Sequence, residues 1–398
     1  MIGTKVRGLF ERVFPRQVAE RTEIAARRVY TCRCGRPIFF RNSRCLACQT
    51  PLGYEPNSGE MLALEPGAAG GTWRVVGPAA KIVTGSYLRC ANFDNAAACN
   101  WMLPAPAANQ PPPTPLCRCC RLNRTIPNLD DPPNGVWWGR IEVAKRRLLS
   151  TLIAFRLPVA SKVAEDPARG LAFDLLRPVN GQPVMTGHDD GIVTLNIEEA
   201  DDARRERTRE QMNEPYRTLL GHLRHEVGHY YWQRLVDRGD RLEGYRKLFG
   251  DERADYAAAL QRYYAEGPPA NWQSQFVSAY ATAHPWEDWA ETWAHYLHMV
   301  DTLDTAASFG LDRGNVDFAY EPFTTKALYQ GDDAGADGAP AFLPFINGWI
   351  ELTAVMNELA RSMGQPDLYP FVLSAPAVTK LHFIHLVIHD AARQAASG

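Results

Sequence analysis

The chain has 398 residues, of which 45% are apolar and 22% charged, and its formal net charge is −2. These values are typical of a globular protein of two or three domains, and the nearly balanced charge argues against a protein that coats nucleic acid. No apolar run approaches the roughly 18 residues needed to span a bilayer, and no signal-peptide segment opens the chain, so we expect a cytoplasmic protein.

The first 44 residues are basic. They hold 11 Lys or Arg and 3 Asp or Glu, a net charge of 11 − 3 = +8. We assign residues 1–30 to a basic N-terminal extension, with an amphipathic helix predicted over about residues 4–28. Such an extension could bind nucleic-acid phosphate or an acidic protein partner, and a solvated helix without a partner explains the pattern equally well.

All nine cysteines lie between positions 32 and 120. Closely spaced pairs turn two thiolates towards one ion, which is the pattern of structural zinc sites. The first predicted site consists of Cys32, Cys34, Cys45 and Cys48, and the second of Cys90, Cys99, Cys117 and Cys120. Disulfides are the alternative, but a cytoplasmic protein keeps its thiols reduced. Cys119 is left over and could replace Cys117.

Segments rich in Pro, Gly and Ala connect the cysteines, at residues 65–71 and 104–115. Such segments do not build a packed core without help, so we expect metal binding to supply folding energy here. This zinc-binding module should cover residues 31–129. A breaker over residues 130–135, rich in Asp, Pro and Gly, separates it from a second domain, residues 137–398.

Four elements are predicted at the start of the second domain. Apolar residues at helical spacing indicate a helix over residues 137–157. Strands are predicted over residues 171–176 and 192–197. We expect the second of these to be the edge strand above an active-site cleft, where it could hold an extended peptide. Residues 198–212 are highly charged and should form a solvated surface helix.

The motif His225-Glu226-Val227-Gly228-His229 carries the chemistry. Residues four apart lie on one face of a helix, so His225 and His229 can bind one metal ion. A zinc site with three protein ligands leaves one position for water and lowers the pKa of that water, with Glu226 as the general base. Satisfied core histidines are the alternative. His222, one turn earlier, is expected to orient a ligand or pack rather than bind the metal.

The third ligand must come from later in the chain, and there are two candidates. A helix crowded with Trp carries Glu291, which we favour. Glu252 is the second candidate, and an ion pair with a nearby Arg is its alternative role. Glu287, Asp288 or His295 would then orient the ligands.

Several stretches resemble a known family. Residues 221–232, 249–253 and 280–298, together with the first cysteine group and residues 117–124, are similar to zinc-binding metallopeptidases preceded by a zinc-ribbon domain. The resemblance covers about residues 30–310. It implies a zincin-like fold of the gluzincin kind, with His225 and His229 as ligands, Glu226 as catalytic base and a downstream Glu as third ligand. Related zincins place this ligand in a context like that of Glu291.

The resemblance also concerns the group that stabilises the developing oxyanion. In zincins a Tyr or His often has this role, which requires a donor near the attacked oxygen. Tyr280 and His284 precede the presumed ligand helix and are the candidates. Packing or a structural hydrogen bond is the alternative for both.

Together these patterns predict an α+β protein. It would combine a small zinc-ribbon module with two four-cysteine sites and a mainly helical zincin-like domain with a small sheet. The predicted cofactors are one catalytic and two structural Zn²⁺ ions, and the predicted substrate is a protein or peptide. The zinc ribbon would recruit partners or regulate the enzyme. Two alternatives stay open: an adaptor that binds nucleic acid or protein through a non-catalytic metal site, and a zinc hydrolase that acts on another amide or ester.

Overall fold

The structure is a computed structural model, and it describes residues 26–106, 114–179, 182–212, 218–311, 316, 319–329 and 336–397. Most of the predicted basic extension, residues 1–25, lies outside the described residues. The fold is of the mixed α+β class, as predicted, with a cysteine-containing N-terminal region and a largely helical C-terminal region.

The N-terminal region contains a two-stranded hairpin and a five-stranded sheet in which all neighbouring strands are antiparallel. The strands are β1 (Val29–Thr31), β2 (Pro37–Phe39), β3 (Leu52–Glu55), β4 (Glu60–Pro66), β5 (Trp73–Val76), β6 (Ser86–Arg89) and β7 (Met102–Pro104). Leu62 and Leu64 in β4 alternate with residues on the other face, as the pleat of a strand requires, and pack with Met102 in a small separate core. This sheet therefore has its own apolar contacts besides the cysteine groups.

A second sheet of four strands, in the order β10, β11, β9, β8, supports the C-terminal region. Its strands are β8 (Asn123–Thr125), β9 (Ala172–Leu176), β10 (Gly187–Asp189) and β11 (Ile192–Asn196). Strand β8 comes from the predicted zinc-binding module and pairs in parallel with β9. The two predicted modules therefore share one sheet.

The predicted strand over residues 192–197 is confirmed as β11, but its predicted edge position is wrong. Strand β11 lies between β10 and β9, and β10 is the edge. Asp190 and Gly191 have φ angles of 43° and 77°, which is the backbone of a tight hairpin turn. This turn folds the preceding residues back as β10, so they cover the side of β11 that was expected to be free.

Nine α-helices lie within the described residues. They are α1 (Asn134–Ala154), α2 (Asp202–Met212), α3 (Leu219–Leu235), α4 (Leu242–Phe249), α5 (Tyr256–Glu266), α6 (Pro285–Ser308), α7 (Thr325–Leu328), α8 (Ala339–Ser362) and α9 (Ala375–Ser397). Helix α1 confirms the helix predicted over residues 137–157, and α2 lies within the predicted charged segment. Among the described residues, no helix is long and apolar enough to cross a membrane. The cytoplasmic location stays a prediction.

Helices α3 and α6 pack closely against each other and form the centre of the C-terminal region. Gly228 permits this approach, because a Cβ at that position would lie 3.1 Å from the Cα of Ala290. Trp289 donates its indole N–H to the carbonyl of Gly228 at 2.8 Å. Side chains of α3 and α6 that face each other are therefore held at a fixed separation.

An ion cluster joins the start of the described N-terminal region to these helices. Arg28 donates to Asp301 and Thr151, and Arg224 of α3 donates to the same Asp301 carboxylate. Burial raises the pKa of Asp301, but Arg28 and Arg224 outweigh burial and hold the pKa well below its usual range. The backbone N–H of Ala26 donates to Asp304 at 2.7 Å. Helix α6 is thus tied to the segment that leads into β1.

Candidate metal centre

Helix α3 presents the His-Glu-x-x-His motif on its inner face. Thr218 caps the helix by accepting the backbone N–H of Gly221 at 2.9 Å. The rings of His225 and His229 are one turn apart, with centroids separated by 5.0 Å. His225 and Glu226 are buried, and His229 is half-buried. The two imidazoles therefore point to one place on the helix surface, as the spacing predicted.

Glu287 of α6 completes this group. Its Oε2 lies 3.0 Å from Nε2 of His225, and its Oε1 lies 3.6 Å from Nε2 of His229. One donor atom from each of the three residues lies within 4.8 Å of the others. Burial raises the pKa of Glu287, but His229 and His225 outweigh it and lower the pKa well below its usual range. The carboxylate is therefore ionised and ready to bind a cation.

The group fits a zinc ion. Zinc bonds to imidazole nitrogen and carboxylate oxygen measure about 2.0–2.2 Å, which places neighbouring ligand atoms in a tetrahedron about 3.4 Å apart. The separations of 3.0 and 3.6 Å bracket that value. Oε2 of Glu287 is also fully buried and accepts no hydrogen bond. A buried carboxylate oxygen without a hydrogen bond is costly unless it has another partner, and a cation is a suitable one.

Glu291, the expected third ligand, lies on the other side of the His225 ring. Its Oε1 accepts a hydrogen bond from Nδ1 of His225 at 2.7 Å, and its Oε2 accepts one from Ser278 at 2.6 Å. The two ring nitrogens point in opposite directions, so Glu291 does not face the ion that Nε2 would bind. The geometry thus favours Glu287 as the ligand and Glu291 as the carboxylate that orients His225, which reverses the roles expected for them.

The other acidic and histidine candidates lie away from this group. Glu252 accepts two hydrogen bonds from Arg246, at 2.5 and 3.0 Å, in the ion pair that was its alternative role. Asp288 pairs with a buried lysine of α9, and His295 bonds to the hydroxyl of Tyr369 at 2.6 Å. Neither is placed to orient the two histidines of α3.

The side chain of His222 contacts the carboxylate of Glu226. Its Oε1 lies 3.3 Å from Nε2 of His222, whose Nδ1 lies 2.6 Å from Oε2 of Glu199. Burial raises the pKa of Glu226, but His222 and His225 outweigh it and lower the pKa. Burial lowers the pKa of His222, but Glu199 and Glu226 raise it to about 10. Sequence reasoning placed Glu199 in a solvated helix and missed this contact.

Two tyrosines lie beside the group, and only one was expected. The ring centroid of Tyr280 is 5.9 Å from that of His225. Burial raises the pKa of Tyr280, so its hydroxyl stays protonated. Tyr256, which sequence reasoning missed, donates its hydroxyl to Oε1 of Glu287 at 2.7 Å. No local pattern marks Tyr256, because its contact depends on how α5 folds over α6.

His284 has a structural position instead. Its Nδ1 accepts the backbone N–H of Trp286 at 3.1 Å and so caps α6, while its Nε2 lies 3.1 Å from the carbonyl oxygen of Ala254. Both ring nitrogens are therefore engaged with the backbone. The expected role of His284 as an oxyanion donor does not fit this position.

His188 of the edge strand β10 was not singled out from the sequence. Its ring is nearly parallel to that of His229, at 14° and 6.4 Å between centroids, and its Nε2 accepts the N–H of Gly191 at 3.0 Å. Burial lowers the pKa of His188 to about 4, so the ring is neutral at neutral pH. The edge of the second sheet therefore lies directly beside the metal centre.

The cysteines form two groups of four in the N-terminal region. Sulfur separations are 3.6 Å for Cys32–Cys48, 3.8 Å for Cys34–Cys45 and 3.6 Å for Cys99–Cys117. Zinc–sulfur bonds of about 2.3 Å in a tetrahedron place sulfurs about 3.8 Å apart, whereas a disulfide requires about 2.05 Å. The donor groups are Cys32, Cys34, Cys45 and Cys48, and Cys90, Cys99, Cys117 and Cys120. Both groups fit zinc.

Cys119 belongs to neither group. It is buried near Lys145 of α1, whose ammonium lies 2.6 Å from Glu142. Burial raises the pKa of the Cys119 thiol well above its usual value. The structure thus brings Cys117, and not Cys119, to the second group of donors.

Comparisons with known proteins agree with these groups. A family model described as "Putative zinc-binding metallo-peptidase" matches residues 134–387, and one described as a zinc-ribbon domain matches residues 29–131. Uncharacterized proteins of Mycobacterium tuberculosis and Mycobacterium bovis are 42% identical over 360 residues, which is 90% of this chain and 94% of theirs. No solved structure matches the chain.

Proposed function

Because this chain belongs to the family of zinc-binding metallo-peptidases, we propose that it hydrolyses peptide bonds of a protein or peptide at the centre formed by His225, His229 and Glu287. The observation that carries the proposal is the convergence of these three donors next to the buried carboxylate of Glu226. A purely structural metal site needs no such additional carboxylate, so this observation argues against the adaptor alternative.

His225, His229 and Glu287 would hold the zinc ion, and three protein ligands leave one position for water or substrate. A zinc ion bound there would supply a Lewis acid and a water of pKa about 7. Glu226 accepts the proton of the attacking water and then donates it to the leaving amine. The pKa of Glu226 lies below its usual range, so the carboxylate is ionised before the reaction begins.

Other side chains orient the metal ligands or could donate a hydrogen bond to the developing oxyanion. Glu291 accepts from Nδ1 of His225, so it fixes the tautomer in which Nε2 is free to bind metal. Tyr280 keeps its proposed role as a donor to the developing oxyanion, and Tyr256 becomes a second candidate because its hydroxyl already reaches Glu287. Replacing each Tyr by Phe removes only the hydroxyl, so the variant with the larger loss of kcat identifies the donor.

The two cysteine groups would hold structural zinc ions, since four thiolates leave no open position for a substrate. The N-terminal region would then recruit substrates or regulate the enzyme. Its second cysteine group packs against α1 through Lys145 and Arg146, and Arg146 donates to the carbonyl of Ala97 at 3.0 Å. A partner of the N-terminal region could therefore act on the C-terminal region through α1.

Glu226→Gln tests the proposal. The variant keeps the size of the side chain and removes its basicity, so we expect full zinc content, a folded chain and a loss of kcat of about 10²- to 10⁴-fold. Cleavage of unfolded casein and of a mixed peptide library would be followed by mass spectrometry. Glu243→Gln, at an exposed position of α4, is the matched control and should behave as wild type. Equal cleavage by wild type and Glu226→Gln would contradict the mechanism.

A further inference from the structure

A line of side chains runs from Glu226 away from the metal centre. It passes through His222, which lies 3.3 Å from Glu226 and 2.6 Å from Glu199. The side chain of Glu226 is 6% exposed, that of His222 21% and that of Glu199 16%. They are therefore largely shielded from water, so their contacts are not easily replaced by solvent.

Glu199 is itself fixed to the second sheet. Thr186 donates its hydroxyl to Oε1 of Glu199 at 2.5 Å, and the backbone N–H of Asn196, the last residue of β11, donates to the Thr186 hydroxyl at 3.2 Å. The neighbouring Glu198 points elsewhere and pairs with Arg204. Only one of these two adjacent glutamates therefore belongs to the line that reaches α3.

A general base requires such support. It must lie about 2.6–3.2 Å from the proton that it accepts, and a displacement of about 1 Å can cost about 100-fold in rate. Glu226 has three side-chain torsions and could rotate away from the centre. A contact to one carboxylate oxygen, Oε1, restrains these torsions.

We propose that His222, held by Glu199, is the positioning residue that fixes the conformation of Glu226. This inference rests on the proposed function, in which Glu226 is the general base. Its geometry differs from that of a metal ligand, because Nε2 of His222 faces a carboxylate, and His222 is not among the three described donors at the centre. It also differs from packing alone, because packing does not require a carboxylate at each ring nitrogen.

The test compares two substitutions at position 222. His222→Gln keeps an N–H that can reach Glu226, whereas His222→Leu removes the donor and keeps an apolar side chain of similar size. We expect His222→Leu to lower kcat by about 10- to 100-fold with KM within twofold of wild type and full zinc content. His222→Gln should recover most of that kcat. Equal losses in both variants, or loss of zinc from His222→Leu, would overturn the proposal.

Glu199 gives a second measurement in case position 222 is needed for folding. Glu199→Ala should lower kcat by about tenfold, and Glu199→Gln should lower it less because an amide oxygen still accepts from Nδ1. Glu198→Gln is the matched control on the same turn and should leave kcat unchanged. A Glu199→Ala variant with the kcat of wild type would also overturn the proposal.

Crystals of the zinc-loaded chain separate failure of this inference from failure of the proposed function. Glu226 should adopt one conformation in wild type and His222→Gln and a different one in His222→Leu, whether or not the tested peptides are substrates. An unchanged Glu226 in His222→Leu would overturn the positioning role. Absence of peptide cleavage together with the expected rotation would instead count against the peptidase proposal alone.

Discussion

The α3–α6 centre and the two cysteine groups bring metal-binding side chains together in different ways. In the cysteine groups four sulfurs lie close together, and their ligands come from single stretches of the chain, residues 32–48 and 90–120. At the centre, three donors converge among the described residues, one of them 58 residues from the nearest histidine, and further carboxylates and tyrosines surround them. Four thiolates leave no open coordination position on a zinc ion. Three donors leave one position open beside a carboxylate, as a catalytic site requires.

The first way to test this comparison is to remove one ligand from each region. Cys117→Ser should prevent stable folding of the N-terminal region, because structural zinc contributes about 10–16 kcal/mol of apparent binding free energy in small zinc domains. His229→Ala should lose metal from the centre but keep the fold, since the core between α3 and α6 does not depend on the ion. Circular dichroism and zinc analysis of both variants measure this. A folded Cys117→Ser chain without zinc would contradict the structural role.

The contact between the two regions gives the next largest effect. Lys145 and Glu142 of α1 are both fully buried, and Lys145 also bonds to Asn123 at the start of β8. Lys145→Met removes the cation that pairs with the buried Glu142, which keeps only the hydrogen bond from Asn123, and should lower the free energy of unfolding by about 3–5 kcal/mol. Urea unfolding measures this loss. The double variant Lys145→Met/Glu142→Gln should recover much of it, and failure to recover would mean that Lys145 acts through other contacts.

Glu287 and Glu291 sharpen the comparison within the centre. Glu287→Gln should lower the zinc affinity by more than about 100-fold, because it removes a ligand, while Glu291→Gln should lower it by about 10- to 100-fold, the usual effect of losing the partner of a metal-bound histidine. Competition with a fluorescent zinc chelator would measure both affinities. The reverse order of the two losses would support the expectation drawn from the sequence.

The smallest effect concerns Asp304 of α6, which accepts the hydrogen bond from the backbone of Ala26. Burial raises the pKa of Asp304 to about 7 from its usual 3.8. The folded state therefore binds a proton more tightly than the unfolded state, so this contribution to stability is present below about pH 4 and is lost as the pH rises through about 7. Between pH 5 and pH 8 the stability of Asp304→Asn should therefore rise by about 2–3 kcal/mol relative to that of wild type. Urea unfolding at the two pH values measures the free energy of unfolding of both chains. If its pH dependence were the same in the variant as in wild type, the result would contradict this prediction.

Sequence reasoning worked where ligands are close in the chain. The first cysteine group and the pair of histidines follow from spacing, because a knuckle or one helical turn fixes their geometry, whereas spacing left Cys117 and Cys119 as alternatives in the second group. It could not separate Glu287 from Glu291, because they lie one turn apart on the same helix and contact opposite nitrogens of the same ring. The way α6 packs against α3 determines which carboxylate faces the centre.

Two other differences between the prediction and the structure have local causes. Asp190 and Gly191 mark a hairpin, and that signal places a strand before β11, which removes β11 from the edge. His284 was expected near the oxyanion, but its position before Pro285 makes it the cap of α6. Tyr256 contacts Glu287 and Glu199 contacts His222 from separate elements, and no local pattern predicts contacts of that kind.

The most direct test of the metal centre is anomalous diffraction at the zinc edge from crystals of the zinc-loaded chain. The predicted map has two peaks within the cysteine groups and a third bound by Nε2 of His225, Nε2 of His229 and the carboxylate of Glu287, with one coordination position open to solvent. A third peak bound by Glu291 in place of Glu287, closed by a fourth side chain, or missing altogether would contradict the account.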